Sequence, residues 1–297
     1  MIPQNEIQFK LLLQSIKNNN KIVITRNKSV KYCSPFIFQV NISTPYLFSM
    51  HRPLAYKFVI AEFLTFLCDR FIVDRIAFLK QFCKDIDNFS ENDANYGYRW
   101  RIFYNIDQIK QVIDLLKQDL HSRRAVITTY SPIMDLSMKK KDVPCNIFQQ
   151  FFIDADKKLN LFNIVRSQDV ILGLPIDICH FTLLYNVILN TLKAEIDSEI
   201  SPGAYYHIIL NPHYYLEDEH VANILLKYGF AFIEIKHPVM QMTLSEATKY
   251  ANAVIEGAIT DKYLSTPYAD WNKFSDEYFK KVYKIFYENS NWRNAKK

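Results

Sequence analysis

The segment Arg166–Asp177 constrains the fold of this 297-residue chain more than any other part. It lies between Leu159–Val165, which has β-branched and aromatic residues, and the apolar run Ile178–Leu192, so it should join a strand to a helix. Within twelve residues it supplies an arginine and a serine as anion ligands, a glycine turn and two carboxylates. This combination predicts a nucleotide site.

Composition predicts one large domain over residues 1–297, whose tail at about 271–297 is aromatic and charged. Hydrophobic residues make up 49% of the chain, and no Pro/Gly/Ser-rich linker divides it. No apolar run approaches the roughly 20 residues that span a bilayer, and Met1–Asn5 lacks a basic region followed by an apolar one, so a soluble, cytoplasmic protein is expected. Five cysteines without CxxC spacing predict neither a disulfide framework nor a metal site, and four of them are expected to be buried.

The basic net charge suits a substrate that carries a phosphate, whether nucleotide or polymer, and the few glycines are concentrated where backbone freedom is needed. The net charge of +5 is spread along the chain, and the one basic cluster, Met138–Asp142, is typical of a solvated loop, so nucleic acid is not the expected partner. The chain has only 5 glycines, whereas an average usage of about 7% would give roughly 20. Two of the five, Gly97 and Gly173, fall inside motifs.

Hydrophobic periodicity predicts segregated helices and strands. Helices are expected at Asn5–Asn19, Pro53–Leu67, Ile106–Leu120, Ile178–Leu192, Glu219–Lys227 and in the tail Trp271–Lys297. Strands are expected at Lys21–Thr25, Phe36–Ile42, Ala125–Tyr130, Ile147–Ile153, Leu159–Val165, Tyr205–Leu210 and Ala231–Ile235, the third to the fifth being central. This mixture predicts an α+β fold in which a mixed β-sheet packs against helices.

Further motifs flank the opening segment in a fixed order. They are Arg26, Glu62 within Ala61–Leu64, Tyr96–Gly97, Ser122–Arg124, Val143–Asn146 and His213–Tyr215. Taken together from about Arg26 to Tyr215, these motifs resemble the thymidylate synthase family. Position 177, usually asparagine in that family, is Asp177, as in its deoxycytidylate hydroxymethylase branch. The resemblance implies a thymidylate synthase-like fold and a two-fold homodimer formed through the sheet.

The resemblance also implies catalytic roles. Cys145 would be the nucleophile that adds to C6 of a pyrimidine, a task that suits a soft sulfur nucleophile activated by nearby arginines. Glu62 would be a general acid and base, and its position in an apolar helix should raise its pKa. Tyr96 would lie near the reacting base. Asn146 replaces the histidine that commonly follows the nucleophile, and it keeps a hydrogen-bonding side chain at that position.

Ligand-binding residues follow from the same resemblance. The predicted phosphate ligands are Arg26, Arg123, Arg124, Arg166 and Ser167, of which Arg123 and Arg124 would reach the partner's site in a dimer. Asn146, His213 and Tyr215 would contact the base or sugar. Asp169 would bind the pterin of the co-substrate 5,10-methylenetetrahydrofolate.

Asp177 is predicted to select the base. Cytosine presents an acceptor at N3 and a donor at N4, and a carboxylate accepts from that donor, whereas asparagine matches the reverse pattern of uracil. An alternative interpretation is that Asp177 caps a helix starting near Ile178.

Two absences favour a hydroxymethyl product. Phe82–Phe89 lacks the tryptophan with which thymidylate synthases exclude water before hydride transfer, and residues 290–297 do not resemble their apolar closing segment. The predicted function is hydroxymethylation of dCMP. Alternatives are thymidylate synthase activity, hydroxymethylation of dUMP, a CMP hydroxymethylase, a folate enzyme with another pyrimidine or carbon donor, and a non-catalytic nucleotide or RNA binder.

Overall fold

The computed structural model describes residues 4–25, 28–42, 47, 52, 54–70, 75–88, 90–137, 140–196, 199–228 and 242–260. Its helices are α1 Gln4–Asn18, α2 Tyr56–Leu67, α3 Arg75–Lys80, α4 Tyr96–Tyr98, α5 Gln108–Gln118, α6 Pro132–Asp135, α7 Gly173–Glu195, α8 Glu219–Tyr228 and α9 Leu244–Thr260. Short 3₁₀ turns at Ile86–Asn88, Asn92–Ala94 and Leu216–Asp218, and a π turn at Arg99–Phe103, complete the helical structure of this part.

The strands form two sheets of mixed direction. They are β1 Ile22–Thr25, β2 Lys28–Tyr32, β3 Phe36–Val40, β4 Val126–Thr128, β5 Asn146–Ile153, β6 Lys158–Val165, β7 Gln168–Asp169, β8 Ser201–Ile209 and β9 Pro212–Tyr215. The larger sheet has the order β3-β8-β6-β5-β4 and is antiparallel except for the parallel pair β6 and β8. The smaller sheet has the order β1-β2-β9-β7, with β7 and β9 parallel.

Helix α7 is the centre of the core. It is buried along most of its 23 residues, because apolar side chains occupy nearly all of its faces. Its Tyr185 hydroxyl donates to the carbonyl of Leu159 at 2.7 Å and accepts from the amide of Gly203 at 3.0 Å. These bonds attach the helix to β6 and β8 where their register shifts. Helix α7, which lies in the connection from β6 to β8, therefore covers one face of the larger sheet.

The opposite face of the larger sheet carries partly exposed aromatic side chains. Phe152, Phe162 and Tyr206, on three adjacent strands, stack with ring centroids 5.6 Å and 5.2 Å apart. At the edge of the sheet, Ile37 is 60% exposed. We call Phe152, Phe162 and Tyr206 the aromatic face.

Gly97 allows α4 to lie directly against α2. A Cβ at this position would come 2.3 Å from the Cα of Phe66, closer than two carbon atoms can approach. The neighbouring ring of Tyr96 consequently packs on Phe66, with centroids 5.3 Å apart. The Tyr-Gly motif therefore fixes where the tyrosine lies relative to α2.

The predicted α+β class is confirmed, and most predicted elements are present within a few residues of their expected bounds. Three details were wrong. Val126–Thr128 is an edge strand, not a central one, and α7 begins at Gly173, not near Ile178. Only Cys68 and Cys179 are buried, whereas Cys33 and Cys83 are partly exposed. Strands β2, β7 and β9 and helices α3, α4, α6 and α9 were missed. The three strands are only two to five residues long, too short for a clear alternation.

Two predicted elements, Ala231–Ile235 and the tail Trp271–Lys297, lie outside the described residues. Within the part of the chain that the structure describes, no helix is both long and apolar enough to cross a membrane.

Candidate active site

Two cavities share Cys145 in their walls. The smaller has a volume of about 140 Å³ and is lined by residues including Glu62, Tyr96, Cys145, Asp177 and His180. The larger has a volume of about 550 Å³, within the range of small-molecule sites, and its lining includes Cys145, Arg166, Ser167, Asp169, His213 and Tyr215. Asp142 and Val143 also border both. Most of the residues predicted from the motifs are thereby brought together around one sulfur atom.

Cys145 lies immediately before β5, next to a register shift between Asn146 and Phe148. The Arg166 guanidinium donates from Nε to the carbonyl of Pro144 at 3.0 Å and from Nη2 to that of Val143 at 2.8 Å. Its Nη2 is 4.0 Å from Cys145 Sγ. Arg166 therefore fixes the loop before the cysteine and places a positive charge beside the sulfur, which favours a thiolate.

Glu62 projects from α2 into the smaller cavity, where its side chain is 23% exposed. Burial, together with the charges of Asp177 and Asp142, raises the pKa of Glu62 to about 8. At neutral pH this carboxyl group is therefore mostly protonated and can exchange a proton with a ligand.

His180 was missed by sequence reasoning, although it follows Asp177 by three residues and so shares its face of the helix. Its Nε2 donates to the carbonyl of Val59 at 2.9 Å and is 3.6 Å from Glu62 Oε2. Burial lowers the pKa of His180 to about 4, so the ring is neutral near pH 7. Glu62 and His180 consequently do not form a charged pair there.

The raised pKa of Glu62 predicts a pH-dependent cost in stability. Between its ordinary pKa of 4.5 and about 8, the carboxyl group is ionised in the unfolded chain and protonated in the folded one, so the free energy of unfolding falls as pH rises. Replacing Glu62 by Gln removes this contribution. We expect Glu62→Gln to gain about 2–4 kcal/mol of stability relative to the parent protein between pH 4.5 and 8. Urea unfolding at several pH values measures the difference in the free energy of unfolding.

The control is Glu195→Gln, at an exposed position. The free energy of unfolding of this variant should differ from that of the parent protein by the same amount at every pH in this range. A difference that is equally constant for Glu62→Gln would contradict the prediction.

Asp177 lies one turn inside α7 and accepts a hydrogen bond at Oδ2 from Gln168 Nε2 at 2.8 Å. Because the helix begins at Gly173, Asp177 is not its N-cap, and that alternative interpretation was wrong. Burial raises the pKa of Asp177 to about 7; the hydrogen bond from Gln168 opposes this effect and the charge of Asp169 adds to it.

The predicted phosphate ligands are divided by the structure. Arg166 and Ser167 line the larger cavity, whereas Arg123 and Arg124 are exposed just before β4 and line neither cavity. Arg26 lies outside the described residues, although its neighbour Thr25 lines the larger cavity. A site within one chain therefore lacks the arginine pair.

Asn146 and Tyr96 contact each other beside Cys145. The Asn146 side chain is fully buried; its Oδ1 accepts from the Thr129 hydroxyl at 2.6 Å and its Nδ2 donates to Asn163 Oδ1 at 2.5 Å. It therefore reaches the cavities only through other side chains. Tyr96 accepts at its hydroxyl from the Asn146 amide at 3.4 Å, and burial raises its pKa well above the usual value.

His213, Tyr215 and Asp169 all border the larger cavity. Asp169 Oδ1 accepts from the amides of Ile171 and Leu172 at 2.9 Å and 3.0 Å, which fixes the carboxylate. Asp169, which is partly exposed, thus presents a fixed acceptor to the larger cavity. Among the described residues, no group of three or more His, Cys, Asp or Glu side chains is arranged to hold a metal ion.

Comparisons with known proteins agree with the motifs. The sequence model of the family described as "Thymidylate synthase" matches residues 8–267. The chain is 32% identical over 139 residues to the thymidylate synthase of Mycoplasma genitalium, covering 47% of this chain and 45% of that protein. It is 28% identical over 224 residues to the deoxyuridylate hydroxymethyltransferase of Bacillus phage SP01, covering 70% and 56%. For the protein of that name from Pseudomonas phage M6, identity is 28% over 194 residues, covering 61% and 53%. The chain thus spans about half the length of these curated relatives.

Proposed function

Since the chain belongs to the thymidylate synthase family, we propose that it hydroxymethylates C5 of dCMP, converting dCMP, 5,10-methylenetetrahydrofolate and water to 5-hydroxymethyl-dCMP and tetrahydrofolate. The observation that carries this proposal is the position of Cys145, Glu62 and Asp177 in the wall of one small cavity. Arg166 and Ser167 border the adjoining cavity, where a phosphate would be bound.

The side chains have complementary tasks in this reaction. Cys145 Sγ forms a bond to C6, which makes C5 nucleophilic, and this bond breaks when the product is released. 5,10-Methylenetetrahydrofolate, when bound, would supply the methylene carbon that C5 acquires in exchange for its proton. Both bonds of this carbon to folate nitrogens break, which leaves tetrahydrofolate, and water adds to the carbon. Glu62, with a pKa of about 8, holds a proton near neutral pH and orients the water that becomes the hydroxyl group. Asp169 would bind the pterin, and His213 and Tyr215 the sugar.

Asp177 supports cytosine as the base, because an ionised carboxylate accepts from the exocyclic amine and repels the O4 acceptor of uracil. A second candidate is hydroxymethylation of dUMP, which the names of the two phage relatives favour. A third is methylation of dUMP, favoured by the relative from Mycoplasma.

Mass spectrometry separates these candidates. The purified protein is incubated with 5,10-methylenetetrahydrofolate and a mixture of dCMP, CMP and dUMP. The proposal expects a gain of about 30 mass units on dCMP. The same gain on dUMP would assign uracil as the base, and the same gain on CMP would assign ribose as the sugar. A gain of about 14 units on dUMP would identify a thymidylate synthase. Bound nucleotide without any product supports a non-catalytic binder.

We also propose a two-fold homodimer formed through the aromatic face. Partly exposed stacked aromatic rings on one side of a sheet are typical of an interaction surface. Arg123 and Arg124 precede the edge strand β4 of that sheet and are exposed. In the dimer they would reach the larger cavity of the partner and complete its phosphate site.

A charge in the aromatic face should separate the subunits. Phe162 stacks between Phe152 and Tyr206, so Phe162→Asp would bury an unpaired carboxylate in the interface. We expect a monomer at micromolar concentration and kcat/KM about 100-fold lower, since the arginine pair is lost. Analytical ultracentrifugation and initial rates measure both. Ile133→Asp, at a 92% exposed position, is the matched control and should change neither. A fully active Phe162→Asp monomer would contradict the proposal.

A further inference from the structure

A continuous chain of hydrogen bonds connects the core beside the nucleophile to the carboxylate of Asp177. Each side chain in it donates to the next one. In order, its members are Trp100, Thr129, Asn146, Asn163, His207, Gln168 and Asp177. All but Asp177 are buried, with exposures between 0% and 3%. We call this set the donor relay.

The direction of the donor relay is fixed at its start. The indole of Trp100 can only donate, and its Nε1 donates to Thr129 Oγ1 at 2.7 Å. The hydroxyl proton of Thr129 must then go elsewhere, and it is donated to Asn146 Oδ1 at 2.6 Å. The Asn146 amide consequently presents Nδ2 to Asn163 Oδ1.

The direction of the hydrogen bonds is fixed in the same way in the second half of the donor relay, from Asn163 to Asp177. Asn163 Nδ2 donates to His207 Nδ1 at 2.9 Å, so the proton of this ring must be on Nε2. The Tyr205 hydroxyl, 3.0 Å from the same Nδ1, reinforces that tautomer. His207 Nε2 then donates to Gln168 Oε1 at 3.0 Å, which leaves Gln168 Nε2 directed at Asp177. Burial lowers the pKa of His207 to about 3, in agreement with a neutral ring.

Gly173 lies directly beside the Gln168 amide. A Cβ at Gly173 would lie 2.8 Å from Gln168 Nε2, the atom that donates to Asp177. The absence of a side chain at the first residue of α7 therefore leaves the space that this amide occupies.

We propose that Gln168 is a specificity-determining positioning residue, which holds Asp177 Oδ2 as a hydrogen-bond acceptor so that the other oxygen, Oδ1, receives the exocyclic amine of cytosine. This inference rests on the proposed function. A donor at Oδ2 stabilises the ionised carboxylate. The ionised form accepts from cytosine N4 and repels uracil O4, whereas a protonated form would offer uracil a donor. Removing the donor should therefore weaken the discrimination between the two bases.

Two substitutions distinguish this role from simple core packing. Gln168→Glu has the same shape and still accepts from His207, but it replaces the donor to Asp177 by a carboxylate. Gln168→Met removes both bonds at similar length. Calorimetric titration of the full chain with dCMP and with dUMP gives the ratio of the two dissociation constants. We expect the preference for dCMP to fall by about tenfold or more in both variants. Gln111→Glu, at an exposed position on α5, should keep the parent ratio.

The outcomes separate this inference from the proposed function. A parent protein that prefers dCMP, with a ratio changed by less than about twofold in both variants, overturns the role of Gln168 alone. If the parent prefers dUMP, or binds neither nucleotide, the assignment of the base fails and the inference with it. If neither variant folds, judged by thermal unfolding, the role of Gln168 is structural and the inference is also overturned.

Discussion

Replacing Cys145 by Ser is expected to lower kcat by about 10³-fold or more while nucleotide binding is retained. The hydroxyl group is a far weaker nucleophile than a thiolate near neutral pH, and the guanidinium of Arg166, 4.0 Å from Sγ, favours the sulfur anion in particular. The substitution changes one atom at the border of the two cavities. Single-turnover assays and a nucleotide titration measure the two effects separately.

The matched control is Cys83→Ser, at a partly exposed cysteine that is absent from the walls of both cavities. It should retain the parent kcat. A Cys145→Ser variant with more than about a tenth of the parent rate would show that the reaction does not proceed through this thiol. Lost nucleotide binding would instead indicate a disturbed site.

Replacing Asp177 by Asn should reverse the preference for the base. Asparagine offers a carbonyl to N3–H and an amide donor to O4 of uracil, so the ratio of kcat/KM for dCMP to that for dUMP should fall by about 10³-fold. The Asn carbonyl still accepts from Gln168 Nε2, and the fold should therefore be preserved. Initial rates with each nucleotide give the ratio.

Asp156→Asn is the corresponding control, because the Asp156 side chain is 76% exposed in the turn between β5 and β6 and lines neither cavity. Its ratio should equal that of the parent protein. An Asp177→Asn variant that still prefers dCMP would mean that the base is recognised by another group.

Most of the predicted site residues lie around the two cavities because their motifs are local. Arg166, Ser167 and Asp169 lie within four consecutive positions, and the structure places all three around the larger cavity. The start of α7 was misjudged because Pro175 was taken to precede the helix. The first turn has no amide that needs an intrahelical partner, so proline is accepted there.

The donor relay could not be read from the sequence. Asn163 meets His207 only because β6 and β8 pair in parallel with one particular register. A shift of either strand by one residue would turn its own side chain to the opposite face of the sheet, away from that of its partner. Polar residues within apolar strands were visible in the sequence, but their partners depend on that register. His180 was missed for a related reason: its neighbour Glu62 comes from a helix more than a hundred positions earlier.

The donor relay also bears on how substrate choice can change during evolution. Position 177, at the end of the donor relay, needs only an oxygen that accepts a hydrogen bond from Gln168, and aspartate and asparagine both provide one. Exchange of these two residues is a single-nucleotide change in their codons, and it requires no compensating replacement among the six buried donors. Under the proposed role of Asp177, cytosine and uracil specificity are neighbouring states of one scaffold, separated by a single mutational step. Replacements at the earlier members of the donor relay are coupled to one another. If one of these side chains accepted a hydrogen bond where it now donates one, every later member would have to exchange its donor and acceptor as well.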